Sequence, residues 1–266
     1  MNIEIGIAKT WELVKLELEK EAFLRIASQI GQGGRARRDD REIYELWSFF
    51  TRWGLSWREI DRFLRFYGKP GLPSMRTIFR RYREWTESGV LERVFRRLTS
   101  QLLLTELGFL DASFIKSKSG LQEAGGYGFK GRGCNVQLVI NENYQVLDFD
   151  VYSAQTHEVK TMENFLGWTE AWRLPATTLA DRAYDSEGLR NCFEILGLEL
   201  SVPYRSNSKN PLALAPAHPE SKQRWKIERF FSWLKKWRHF NYRYEIKTKN
   251  FKAYLFNVFS IMLLSR

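Results

Sequence analysis

The sequence has little of what thiolate, imidazole and redox sites are built from. Two cysteines, Cys134 and Cys192, form no CxxC pair, and the three histidines are dispersed along 266 residues. That excludes a zinc-finger pattern and a disulfide framework as organising features, and it suits a reduced, cytoplasmic compartment. No uninterrupted apolar run reaches the ~18 residues of a membrane helix. No charged start followed by an apolar core marks a secretory signal. Acidic charge is also scarce: 31 Asp and Glu stand against 42 Lys and Arg, a net +11. Such an excess implies an anionic partner, and without a membrane segment a nucleic acid ranks ahead of a lipid surface. A GxxxxGK[ST] run is missing as well, which sets aside a Walker nucleotide site.

What is present is a set of carboxylates in telling contexts. The segment Arg224-Trp-Lys-Ile-Glu228-Arg-Phe-Phe-Ser-Trp-Leu-Lys235 reads as a helix whose buried stripe is Ile227, Phe230, Phe231 and Leu234. Arg224, Glu228 and Lys235 fall together at roughly 60 to 100° from that stripe. A carboxylate at a core edge with a cation on either side suits a metal ion and neighbouring phosphates, and a solvated flank with ordinary Glu–Arg pairing is the alternative.

Two aspartates lie upstream, each after a short apolar run. Leu107-Gly-Phe-Leu-Asp111-Ala-Ser and Thr177-Thr-Leu-Ala-Asp181-Arg-Ala-Tyr184-Asp185-Ser both predict a strand that ends in a carboxylate. Ligands of open α/β sheets bind beyond the carboxyl ends of strands. Asp, Asp and a later helical Glu are the oxygen ligands that a two-metal phosphoryl-transfer site needs. Mg²⁺ suits such hard donors, and two ions clamp the attacking and leaving oxygens of an in-line displacement.

At these residues the chain resembles the DDE transposases of bacterial insertion sequences, the insertion sequence 5 group and its relatives. Ala180-Asp181-Arg182-Ala183-Tyr184-Asp185 is similar to that family's second-Asp segment. Arg224-x3-Glu228-x6-Lys235 has the spacing of its Tyr-x2-Arg-x3-Glu-x6-Lys signature, with Ser221 at the tyrosine position. The resemblance runs from about Arg41 to the C-terminus. It implies an RNase H-like mixed sheet flanked by helices, with Asp111, Asp181 and Glu228 as catalytic metal ligands for Mg²⁺, or Mn²⁺ in its place. It implies double-stranded DNA as partner, both terminal repeats and target, a homo-oligomer on that DNA, and a nucleoid-associated protein of the bacterial cytoplasm.

The rest of the chain reads as follows. Residues 1–38 predict a charged, leucine-rich helix and a basic glycine linker. Residues 39–100 predict a small helix-turn-helix-like domain. There Asp40 caps a first helix that Gly54 ends, Ser56-Trp-Arg-Glu59 has capping-box form, and Ser74 caps a third helix. On that third helix Arg76, Arg80 and Arg83 lie opposite Ile78, Tyr82 and Trp85, a basic face suited to DNA. Residues 101–266 form the α/β catalytic domain. In it Gly125 to Gly133 allow close backbone approach, and Lys130 and Arg132 can neutralise phosphates. Cys134–Ile140 and Gln145–Val151 predict a hairpin, Val159–Trp172 a helix, and Leu198–Val202 a last strand.

Other carboxylates have ordinary readings. Asp148 and Asp150 alternate with Leu147, Phe149 and Val151 and are expected to be wet strand residues. Asp185 is expected to be a helix N-cap, and Glu187 suits the dipole of the same helix. His157 and Glu158 resemble a His-Asp element of the family. Ser221 leaves room for a DNA-binding descendant without catalysis, and an RNase H-like nuclease without strand transfer would share the same site.

Overall fold

Helix-start and helix-stop chemistry organises the first hundred residues. The computed structural model describes residues 2–26, 38–68, 70–117, 126–128, 131–166, 174–204 and 219–265. Five helices come first: α1 Ile3–Ile26, α2 Asp40–Trp53, α3 Trp57–Tyr67, α4 Met75–Ser88 and α5 Val90–Thr99. The capping box that opens α3 is complete, with Ser56 and Glu59 bonded reciprocally, and the Ser74 side chain accepts from the N–H of Thr77 at the start of α4. Gly54 ends α2 with φ 69°, and a Cβ there would lie 2.6 Å from that of Arg238. The cap of α2 is Asp39 and not Asp40: the Asp39 carboxylate accepts from the N–H of Arg41 at 2.9 Å. Asp40 is drawn off by the buried Arg81 guanidinium, 2.5 Å away.

Two C-terminal helices, α9 Arg238–Asn241 and α10 Thr248–Leu264, belong with these five. Contacts divide the chain into one unit of Met1–Leu98 with Trp237–Arg266 and another of Thr99–Lys236. These contact units differ from the expected boundaries at 38/39 and 100/101 in where the last helix falls. The reason is α10, which is buried almost all round from Phe251 to Met262; such a helix needs partners on every side. It finds them in α1 and α4. The Tyr44 hydroxyl donates to Asn257 of α10 at 2.5 Å, and Asn257 donates to Ser48 at 3.3 Å. Beside them Trp11, Tyr44, Trp47, Tyr82 and Trp85 form an aromatic core, its tightest pair being Trp47 and Tyr82 at 4.8 Å.

The second unit is built on a mixed sheet. Its strands are β1 Leu107–Ser117, β2 Gly126–Gly128, β3 Gly131–Asn141, β4 Val146–Ser153, β5 Thr177–Leu179 and β6 Glu199–Ser201. The order is β2-β3-β1-β5-β6, with β4 also on β3. β1, β3 and β4 are antiparallel, while β5 and β6 run parallel to β1. The expected hairpin, parallel strand and last strand are all present, in a mixed sheet flanked by helices. Helix α6, Glu158–Leu166, is followed within the described residues only to Leu166; the remainder of the expected Val159–Trp172 helix lies outside them. Helix α7 spans Glu187–Ile195 and α8 Trp225–Leu234. α6 and α7 cover one face of the sheet, where Leu110, Val139, Met162, Ala180, Leu189 and Phe193 share a core. Gly108 is a point of close approach, since a Cβ there would fall 2.5 Å from Pro175 Cγ. Among the described residues no helix is long and apolar enough to cross a membrane.

Candidate active site

The parallel pairing of β1 with β5 leads up to the two aspartates. Leu107 pairs with Thr177, Gly108 with Thr178 and Phe109 with Leu179. The pairing ends there, two residues before Asp111 on one strand and two before Asp181 on the other. Neighbouring strands lie ~4.8 Å apart, so the two backbones are adjacent up to that point. Alternation then decides the face. Leu110 and Ala180 both enter the core beneath α6 and α7, so Asp111 and Asp181, one residue later, turn to the opposite side.

That opposite side carries α8. The ammonium of Lys226 lies 5.6 Å from the ring centroid of Phe109, and Phe109 shares its strand face with Asp111. The Trp233 ring lies 4.9 Å from Tyr144 in the β3–β4 turn. Lys226 and Trp233 occupy one shoulder of the helix and thus fix its roll. The other shoulder bears Arg224, Glu228 and Lys235. Between the shoulders Ile227, Phe230, Phe231 and Leu234 are buried, as their spacing predicts. Neither Lys226 nor Tyr144 was singled out by the sequence; their signal is a contact between residues far apart in the chain.

Each carboxylate is held locally. Asp111 Oδ1 accepts from the N–H of Ala112 at 2.7 Å, and Asp181 Oδ1 accepts from the N–H of Ala183 at 2.8 Å, capping a short 3-10 turn. Both are half-buried, and Glu228 is exposed. Asp111 is not at the end of its strand, as the apolar run suggested. β1 continues to Ser117 because β3 pairs with it through Lys116. What ends near Asp111 is the parallel pairing with β5. The donor set fits a hard divalent cation in kind. Among the described residues, however, no three His, Cys, Asp or Glu side chains gather closely enough to hold a metal ion.

The cations expected near DNA are placed as follows. Arg224 precedes α8, its Nε buried and without a hydrogen-bond partner among the described residues. Lys235 and Arg132 are exposed, and Lys130 lies outside the described residues. In the helical unit Arg76, Arg80 and Arg83 are exposed on α4, while Ile78, Tyr82 and Trp85 are buried opposite them.

Several competing carboxylates are reassigned. Asp148 and Asp150 are buried, 1% and 7% exposed, and not wet. Alternation implies a wet face only where one side of a sheet is open; here α6 covers it, and Gln137, the register partner of Asp150, donates to Met162 of α6 at 3.3 Å. Asp185 is not an N-cap either. Ser186 caps α7, and Asp185 binds Arg190 at 2.8 Å, which in turn donates to the carbonyls of Leu200 and Val202. Glu187 stands exposed in the first turn of α7, as expected. His157 is exposed, and its Nδ1 accepts from the N–H of Val159 at 3.4 Å where α6 begins.

Among solved structures, the chain is similar to the piggyBac transposase synaptic complex with hairpin DNA, at 11% identity and a TM-score of 0.46, over 82% of this chain and 54% of that one. It thus spans about half the length of that relative. It is also similar to the Mos1 transposase paired-end complex with left transposon end, at 14% identity and a TM-score of 0.26, over 84% of this chain and 83% of that one. None of the curated proteins matches the sequence. The family model described as the transposase DDE domain matches residues 102–263, more than half of the sequence, and the chain belongs to that family.

Proposed function

We propose that this chain is a DNA transposase that cuts at the ends of an insertion sequence and joins the freed 3′-hydroxyl to target DNA, with Asp111, Asp181 and Glu228 as its catalytic carboxylates. The observation that supports the reading is the parallel pairing of β1 with β5, which runs to Phe109 and Leu179, two residues before Asp111 and Asp181. The family uses divalent metal ions; here Mg²⁺, bound as a pair, would be held by Asp111 and Asp181 with Glu228 completing the set. When bound, such ions supply charge neutralisation at the attacking and leaving oxygens.

The chain's own residues bind and orient the strand. In the cutting step, water attacks the scissile phosphorus, the P–O3′ bond breaks, and a 3′-hydroxyl and a 5′-phosphate result. In the joining step, that 3′-hydroxyl attacks a target phosphorus and displaces the target's own 3′-oxygen, so one phosphodiester forms as another breaks. Neither step needs a covalent enzyme intermediate, and the protein contributes positioning. Arg224 and Lys235 flank Glu228 on one helix shoulder and would hold phosphates beside the scissile bond. Lys130 and Arg132 would contact the backbone from the glycine-rich hairpin, and Arg76, Arg80 and Arg83 would bind duplex through the helical unit. Both element ends must be held together, so the working form is a homo-oligomer on DNA.

The test is a strand-transfer assay in Mg²⁺ or Mn²⁺ with a pre-cut duplex carrying the element's flanking repeat. Parent protein should give joined products. Glu228→Gln and Asp111→Ala should lose at least ~10³-fold of cutting and joining, the several kcal/mol that metal-assisted charge stabilisation supplies, with DNA affinity nearly unchanged. Either variant cutting like the parent would sink the site assignment. Binding with neither nicking nor joining by the parent would instead favour a DNA-binding descendant without catalysis.

A further inference from the structure

The helical unit exposes far more aromatic surface than its core requires. Trp53, Phe49, Phe50, Phe63 and Tyr67 form an unbroken strip across α2 and α3, with successive ring centroids 6.1, 5.8, 5.6 and 5.3 Å apart. Only Phe50 is buried. Phe49 and Trp53 are about half exposed, Phe63 is 40% exposed and Tyr67 76% exposed, and Phe66 on the same flank of α3 is 82% exposed. A contiguous apolar patch of this kind marks a binding surface.

Its rim is cationic. Arg238 lies 5.6 Å over the Trp53 ring, and Arg58, Arg62 and Arg65 are exposed along α3. The acids nearby are engaged, Asp61 with Arg65 at 2.9 Å and Glu59 with the N–H of Ser56 at 2.7 Å. A second copy of this chain docked here would bring arginines against arginines on a molecule already at +11. A polyanion with flat apolar faces meets no such repulsion: its phosphates answer the arginines and its faces answer the rings.

We infer that the α2–α3 strip is a stacking platform for unpaired DNA bases, distinct from the duplex-binding arginines proposed on α4. The inference rests on the reading of the chain as a DNA-acting protein and adds that one of its substrates is single-stranded. Cutting and joining at element ends both produce termini whose last bases are free to unstack, and the platform would hold them.

The test is fluorescence anisotropy of the full chain with a labelled 20-nucleotide oligo-dT strand and with a labelled duplex of the same length, in EDTA so that no cutting intervenes. Phe66→Ala/Tyr67→Ala removes the two most exposed rings and should weaken single-strand binding by about 10- to 100-fold. Its salt dependence should be unchanged, and its duplex binding should change far less. Phe66→Trp/Tyr67→Phe, which keeps the ring faces, should bind the strand like the parent and guards against misfolding. Single-strand affinity that survives the alanine pair would overturn the platform. So would a loss of mass by sedimentation on the same substitution, since it would assign the strip to a second copy. Failure of the transposase reading looks different, because oligo-dT binding would then remain sensitive to the alanine pair while no joined product forms.

Discussion

The two units of this protein hold chosen polar side chains over different ranges. In the helical unit three of them bond over long sequence distances: Tyr44 to Asn257, Arg81 to Asp40, Tyr82 to the carbonyl of Asn250. In the sheet unit, Asp111 and Asp181 sit at the edge of the core and take hydrogen bonds from the backbone one or two residues ahead, while Glu228 faces solvent. The first pattern leaves a polar side chain one stable arrangement. The second orients a carboxylate from its own backbone. Substitutions in the two regions should sort accordingly.

The largest effect expected under that division is on folding. Trp47→Ala in the helical unit removes a side chain 1% exposed and should cost about 3–5 kcal/mol, read by urea unfolding. Activity per folded molecule should stay near that of the parent. Gly108→Ala should show the reverse pattern in the sheet unit. Its Cβ would press on Pro175 just before β5, shifting Asp181 against Asp111. Cutting should fall on the order of 100-fold for a stability loss of only about 1–3 kcal/mol. A Gly108→Ala protein that cuts normally would show that the level of the two strands is not what sets activity.

A smaller effect should separate binding from both. Replacing Arg76, Arg80 and Arg83 together with alanine should leave the melting temperature unchanged, because all three are exposed. The slope of log affinity for duplex against log salt should become shallower by as much as about three, and an unchanged slope would remove α4 from the DNA interface. The smallest is Ser56→Ala, worth about 1 kcal/mol. Hydrogen bonds from Ser56, side chain first and backbone second, hold the Glu59 carboxyl below its ordinary value. A lowered carboxyl contributes stability above its unfolded pKa and loses it as pH falls through the folded one. The deficit of Ser56→Ala in thermal melts should therefore shrink on acidification, and a deficit constant with pH would discount the Glu59 half of the box.

Much of this was legible before any coordinates. Caps and stops at Ser56, Ser74 and Gly54, the β3–β4 hairpin and the buried stripe of α8 all follow from residues within four of one another, where periodicity and side-chain-to-backbone bonds suffice. Errors arose where local grammar was ambiguous between neighbours or silent about cover. Asp39 and Asp40 are equally good caps until Arg81 takes one. Asp148 and Asp150 alternate like wet residues until α6 lies over them. Asp185 and Ser186 compete for one cap, and Arg190 decides it.

The sequence by itself determined the candidate residues: two aspartates after apolar runs, a glutamate between cations at helical spacing, and a net positive charge. Tertiary structure alone decided that β5 pairs parallel to β1 up to Phe109 and Leu179, that Lys226 and Trp233 of α8 meet Phe109 and Tyr144, and that the last thirty residues pack with the first hundred. The physical reason is range. A cap or an amphipathic stripe is fixed by interactions one helical turn long, whereas strand register, helix roll and burial are fixed by partners tens to hundreds of residues away.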